Sequence, residues 1–136
     1  MKYLLFIFIG LLVCSSCSTE ETETIVKQEE EEQLVEINDN IYTEWYPGKK
    51  QIKFRGGQDD KNQRHGKWSF YSETGLELSV TMYQYGKKEG FTVVKYPNGA
   101  LHYRGEYLND EMVGIWTTYD EKGVVANEKD YGYPKN

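Results

Sequence analysis

The chain has 136 residues, 38% hydrophobic and 28% charged, with 22 acidic side chains against 16 basic ones and a formal net charge of −6. That length is one domain's worth of chain, and the acidity leaves no basic footprint of the kind a nucleic-acid backbone requires. Two cysteines, Cys14 and Cys17, are too few for a disulfide-dense scaffold.

Taken in order, Lys2 precedes an apolar run from Leu4 to Val13, and the small residues Ser15 and Ser16 stand ahead of Cys17. A run of this length is too short for a bilayer, which takes roughly 20 residues, but it suits the apolar centre of a secretory signal. Residues 1–16 therefore read as a signal peptide, and the protein is expected to leave the cytoplasm.

The residues around Cys17 resemble a bacterial lipobox, in which a signal peptidase cuts before a cysteine whose thiol carries a diacylglyceryl group. Cys14 stands where that pattern prefers an aliphatic side chain, and ordinary cleavage guided by the small residues Cys14 and Ser16 is the alternative. The resemblance implies that Cys17 is lipidated and that the membrane is one partner, with an address in the cell envelope, at the outer membrane of a Gram-negative bacterium. Either cut removes Cys14, so no intramolecular disulfide remains and packing alone must stabilise the fold.

Charge then divides the chain. Between Ser18 and Asn40 stand nine acidic residues (Glu20, Glu21, Glu23, Glu29, Glu30, Glu31, Glu32, Glu36 and Asp39) against Lys27 alone. Residues 41–136 carry 14 Lys and Arg against 13 Asp and Glu. A segment such as Gln28 to Gln33 repels itself and buries nothing, so residues 17–40 read as a disordered acidic tether. Ser18-Thr19-Glu20-Glu21 also loosely resembles the signal by which some Gram-negative bacteria send lipoproteins to the outer surface.

From Tyr42 the composition turns to Tyr, Trp, Gly and short β-branched runs, with 17 aromatic residues in 95. Three positions recur with a single period: Gly66, Gly90 and Gly114; Gly75, Gly99 and Gly123; Tyr83, Tyr107 and Tyr131, each 24 residues apart. Within a unit, Gly66 to Tyr71 alternates large and small side chains, Ser72 to Gly75 is turn chemistry, and Leu76 to Gln84 is a second β-rich run. The pattern is a β-hairpin. A glycine closing the turn supplies a positive φ, and Tyr96-Pro97-Asn98-Gly99 is the strongest such signal. One hairpin is marginal in water, so the units must join edge to edge. The expected fold is all-β, a meandering sheet of tandem antiparallel hairpins, with polar reversals at Gly86 to Glu89 and Asn109 to Glu111.

Trp68 and Trp116 fall at one repeat position, where the middle unit has Thr92, and alternation sets them beside Phe70 and Thr118. The second strands differ in parity: Leu76, Leu78, Val80 and Met82 favour one face, whereas Leu101, Tyr103 and Tyr107 favour the other. A β-bulge near Thr81 to Tyr83 would reconcile them.

The pattern G-x-W-x-x-Y-x-x-x-G followed by Y-x-x-G/N-x-x-x-G resembles the variant MORN repeat (membrane occupation and recognition nexus) of the YwqK-like bacterial antitoxins. The resemblance covers Gly66 to Tyr131 and implies tandem hairpins in an elongated sheet and an interaction role rather than catalysis. It gives three repeats in 66–136, with 41–65 as a degenerate capping repeat in which Trp45-Tyr46-Pro47-Gly48 echoes the middle turn. The stretch Gly56 to His65 reads as the longest loop and a candidate partner contact, or as a tolerated surface insertion.

Catalysis finds little support. His65 and His102 occupy different repeat positions, and neither sits in a metal or nucleophile motif. Asp59 to Asn62 lacks the spacing of a calcium loop, and no phosphate-binding glycine loop is present. No cofactor and no enzymatic activity are expected. The favoured reading is a lipid-anchored, protein-binding module with the Trp row as core and Tyr83, Tyr107, Tyr131 and Tyr103 as partner contacts. The alternative is a structural envelope lipoprotein that binds membrane or cell-wall glycan.

Overall fold

A computed structural model describes residues 34–135; the signal-like run, Cys17 and the acidic run to Gln33 lie outside them. The described residues form nine antiparallel strands in one open sheet whose spatial order is the chain order. The strands are β1 (Val35–Asn38), β2 (Ile41–Trp45), β3 (Ile52–Gln58), β4 (Arg64–Tyr71), β5 (Glu77–Gln84), β6 (Lys87–Lys95), β7 (Leu101–Leu108), β8 (Glu111–Tyr119) and β9 (Val125–Asp130). The chain is all-β, a meander of tandem hairpins, as the 24-residue period requires.

Two kinds of turn alternate along it. At one end of the strands, four-residue turns close on glycine: the Gly75, Gly99 and Gly123 amides donate to the Ser72, Tyr96 and Asp120 carbonyls at 3.0, 2.9 and 2.9 Å. These glycines have φ of +88°, +87° and +82°, the left-handed region that other residues enter only with strain. At the other end are two-residue loops, Asp39-Asn40, Tyr85-Gly86 and Asn109-Asp110, each with positive φ at both residues. This geometry twists with the strands it joins. The reversals are thus shorter than the polar stretches suggested, and Lys87 to Glu89 belong to β6.

The start of the sheet differs from the charge-based reading. Val35-Glu36-Ile37-Asn38 pairs with Ile41 to Glu44, so the sheet includes residues that acidity had assigned to the tether. The local pattern explains it: two β-branched residues alternate with polar ones, and Asp39-Asn40 tolerates the left-handed turn. Likewise Gly56, Gly57, Gln58, Arg64 and His65 are strand residues, and the loop between them is only Asp59 to Gln63. That loop is closed on itself by the Asp59 carboxylate, which accepts from the Lys61 and Gln63 amides, both at 2.9 Å.

Opposed residues of an antiparallel sheet share a face. One face, here the front, carries the row Gly56, Trp68, Thr81, Thr92, Gly105 in successive strands, and Trp116 packs against Gly105. The back carries Arg55, Ser69, Val80, Val93, Arg104, Thr117 and Glu128. The pairing of β5 with β6 does shift between Thr81 and Tyr83, but the shift adds two residues to β6, Thr81 facing Thr92 and Tyr83 facing Lys88. A two-residue shift preserves parity, so it does not bring the second strands into one pattern. Val80 remains on the back face and Tyr103 and Tyr107 on the front, and the back face is apolar at Val80 where β7 has Arg104.

Among the described residues the sheet has no second layer and its core is small: Trp68, Val113 and Trp116 are the buried apolar residues, each about 6% exposed. Both indoles lie flat on a glycine of the preceding strand: a Cβ built on Gly56 would fall 2.3 Å from the Trp68 ring, and one on Gly105 would fall 2.2 Å from the Trp116 ring. Each indole N–H then reaches the carbonyl of the next residue, Trp68 Nε1 to Gly57 O at 2.7 Å and Trp116 Nε1 to Glu106 O at 3.2 Å. The register shifts at Gly56/Gly57 and Arg104/Glu106 interrupt the ladder where those carbonyls stand. The indoles thus donate to carbonyls that stand beside the register shifts. In the middle unit Thr81 faces Thr92 instead, with their hydroxyls 2.8 Å apart. The first glycines of the repeat, Gly66, Gly90 and Gly114, are bulge residues with φ of +72°, +96° and +60°.

Candidate interaction face

The alternation that puts Trp68 and Trp116 on the front also puts the tyrosines there, because Gly66 faces Tyr83, Gly90 faces Tyr107, and the Tyr131 amide donates to the Gly114 carbonyl at 2.9 Å. The Trp row, read as core, and the Tyr row, read as partner contacts, thus share one face.

Two aromatic clusters result. In the first, Trp68 has Tyr42 at 5.3 Å and Tyr83 at 6.3 Å between ring centroids. In the second, Trp116 is surrounded by Tyr107 at 5.0 Å, Tyr103 at 5.9 Å and Tyr131 at 6.5 Å. The sheet thus gathers Tyr103, Tyr107 and Tyr131 into one patch and sets Tyr83 in another, with Thr81 and Thr92 between. The indoles are buried; Tyr83, Tyr103 and Tyr107 are half-buried, and Tyr131 is 43% exposed. Burial raises the Tyr103 phenol above its ordinary value, and burial followed by the nearby Glu44 carboxylate does the same to Tyr42. Both are neutral donors at physiological pH.

Cations cap the rings. The Arg64 guanidinium lies 4.4 Å from the Trp68 ring and 5.3 Å from that of Tyr83, and its Nη1 donates to the Tyr83 hydroxyl at 3.1 Å. Lys88 Nζ stands 4.6 Å over Tyr107, and Lys129 Nζ 4.3 Å over Tyr131. None of the three forms an ion pair with a described residue. Tyr42 and Lys88 were not singled out from the sequence, and Arg64 only as part of the stretch Gly56 to His65, although a signal existed: Arg64, Lys88 and Met112 are 24 residues apart, each two before the first glycine of its unit.

The back face is different in kind. A cavity of about 390 Å³ there is lined by Phe91, Val93, Arg104, Glu106, Ile115, Thr117 and Glu128 among others, with Phe91 and Ile115 well exposed. Its charges are mixed, and Tyr133 donates to the Glu106 carboxylate at 2.7 Å at its margin. Nearer the first strands, Glu77 accepts from Ser69 Oγ at 2.8 Å and pairs with Lys67 at 3.0 Å.

A scan against protein-family models finds no match to this chain, and a search among curated proteins finds none either.

Proposed function

We propose that this protein is a non-catalytic, protein-binding repeat module held in the cell envelope by a lipid on Cys17, of the variant MORN type and antitoxin- or immunity-like by that resemblance. The observation that carries the reading is the front face. Its two aromatic clusters are half-open to solvent, carry cations with no ion-pair partner among the described residues, and are held at fixed spacing by a rigid hydrogen-bonded sheet. Interfaces are enriched in Tyr, Trp and Arg because large, stiff side chains bury much area at little entropic cost. A single-layer sheet with one face so furnished suits recognition better than chemistry, which needs convergent polar groups in an enclosed site.

The anchoring part of the reading rests on the sequence around Cys17, and one substitution tests it. Cys17→Ser should move the protein from the membrane fraction to the soluble fraction of the envelope; continued pelleting with membranes overturns it. The binding part predicts that Tyr107→Ala folds, by circular dichroism, yet loses a partner captured by the wild type, whereas Phe91→Ala on the back face retains it. The reverse pattern moves the site to the back face.

A further inference from the structure

We infer that the partner of the front face is an acidic protein segment, one that presents carboxylates to Arg64 and Lys88 in adjacent repeats; this rests on the recognition reading above. The argument begins with what the rings offer. Trp68 and Tyr83 share the Arg64 guanidinium, Tyr107 lies under the Lys88 ammonium, and Tyr131 under that of Lys129. Ring faces covered in this way are closed to the flat stacking by which a neutral sugar would bind. What points outward is cationic.

Arg64 is also pre-organised. A guanidinium held over an indole and fixed by one hydrogen bond to the Tyr83 hydroxyl has further N–H donors that no described carboxylate engages, enough for a bidentate carboxylate. Little rotamer entropy is left to lose on binding. The next unit offers Lys88 two strands away, on the order of 10 Å across the sheet at 4.8 Å per strand. An extended acidic peptide at about 3.3 Å per residue spans that interval in three or four residues. Among the described residues, Leu34 accepts from the Trp45 amide at 2.8 Å at the end of the strands where the glycine-closed turns lie, and Arg64 and Lys88 stand at the opposite end.

Fluorescein-labelled poly-L-glutamate, titrated with the full chain and read by anisotropy, tests the inference. The wild type should bind, and more weakly as salt rises. Arg64→Gln with Lys88→Gln should lower affinity at least about tenfold, and Lys88→Arg alone, which keeps the charge beside an intact Arg64, should keep most of it. The charge-matched control, Lys50→Gln with Lys122→Gln in the turns at the other end, should stay within about twofold of wild type. Equal losses in the two Gln pairs would show a response to net charge alone and overturn the assignment. So would no binding by the wild type, or a preference for phosphatidylglycerol vesicles that the Arg64/Lys88 variant abolishes. If Tyr107→Ala loses the captured partner while Arg64→Gln/Lys88→Gln leaves poly-glutamate binding intact, the recognition module stands and the acidic partner falls.

Discussion

Gly105→Ala is a small change with a sign that the packing decides. Gly105 does not need a positive φ, so alanine fits its backbone, and loss of a glycine from the unfolded chain would by itself stabilise by about 0.4 to 1 kcal/mol. The added Cβ would lie 2.2 Å from Trp116 Cδ2, 2.3 Å from Cε2 and 2.7 Å from Cγ, where ordinary contact begins at 3.4 Å. The indole must withdraw by about 1 Å or more. That movement strains its bond to the Glu106 carbonyl and its contact with Tyr107 at 5.0 Å. Overpacking of this kind costs about 1 to 3 kcal/mol, and a weakened buried hydrogen bond adds up to roughly 1.5 kcal/mol. The net expectation is a loss of about 1 to 3 kcal/mol, with each kcal/mol lowering Tm by about 4 to 8 °C in a domain of this size. Thermal melts followed by far-UV circular dichroism measure it. A melt at or above that of the wild type would refute the stacked-indole account. The middle unit supplies a second arm: Gly105→Thr with Trp116→Thr recreates the Thr81–Thr92 pair, and should be less destabilised than the sum of its single variants by about 1 kcal/mol.

Three further outcomes follow from the geometry. At Gly99, with φ of +87°, valine should destabilise by roughly 1 to 3 kcal/mol and asparagine by less; equal Tm values would remove the strained turn. Trp116→Ala empties the centre of four packed rings and should cost about 3 to 5 kcal/mol, against little for Tyr131→Ala at the open margin; comparable denaturant midpoints would contradict the placement of the core. Burial pushes the Glu77 carboxyl up, but hydrogen bonds from Ser69 and Lys67 and the charges of Lys67 and Lys95 outweigh it and leave it below its ordinary 4.5. Its stabilising contribution is therefore complete above about pH 4.5 and is lost as pH falls through the lower folded value. Glu77→Gln should flatten the acid limb of the stability profile below about pH 4.5, and an unchanged limb would show that the ion pair contributes nothing.

The repeat was legible because three kinds of position kept one period, and each had a local physical reason: a left-handed turn at Gly99, a bulge at Gly90, a ring opposite that bulge at Tyr107. Strand β1 was hidden by its company. Glu36 and Asp39 count as tether charge, while the alternation of Val35 and Ile37 is only four residues long. Gly56 and Gly57 read as loop residues because glycine pairs usually are; only the register shows an indole lying on one and bonding the other. The sharing of one face by Trp and Tyr follows from cross-strand register, Trp68 facing Thr81 and Gly66 facing Tyr83, which alternation within a single strand does not supply. The cations over the rings are a tertiary feature: Arg64 and Tyr83 are 19 residues apart and meet only across paired strands.

The central claim is that recognition happens on the front face, and site-specific photo-crosslinking in living cells tests it most directly. A photoreactive phenylalanine analogue placed singly at Tyr83, Tyr107 and Tyr131 should each yield the same discrete adduct, while the analogue at Phe91, Val93 and Ile115 on the back should yield none. Adducts from the back-face positions, with none from the tyrosines, would contradict the account.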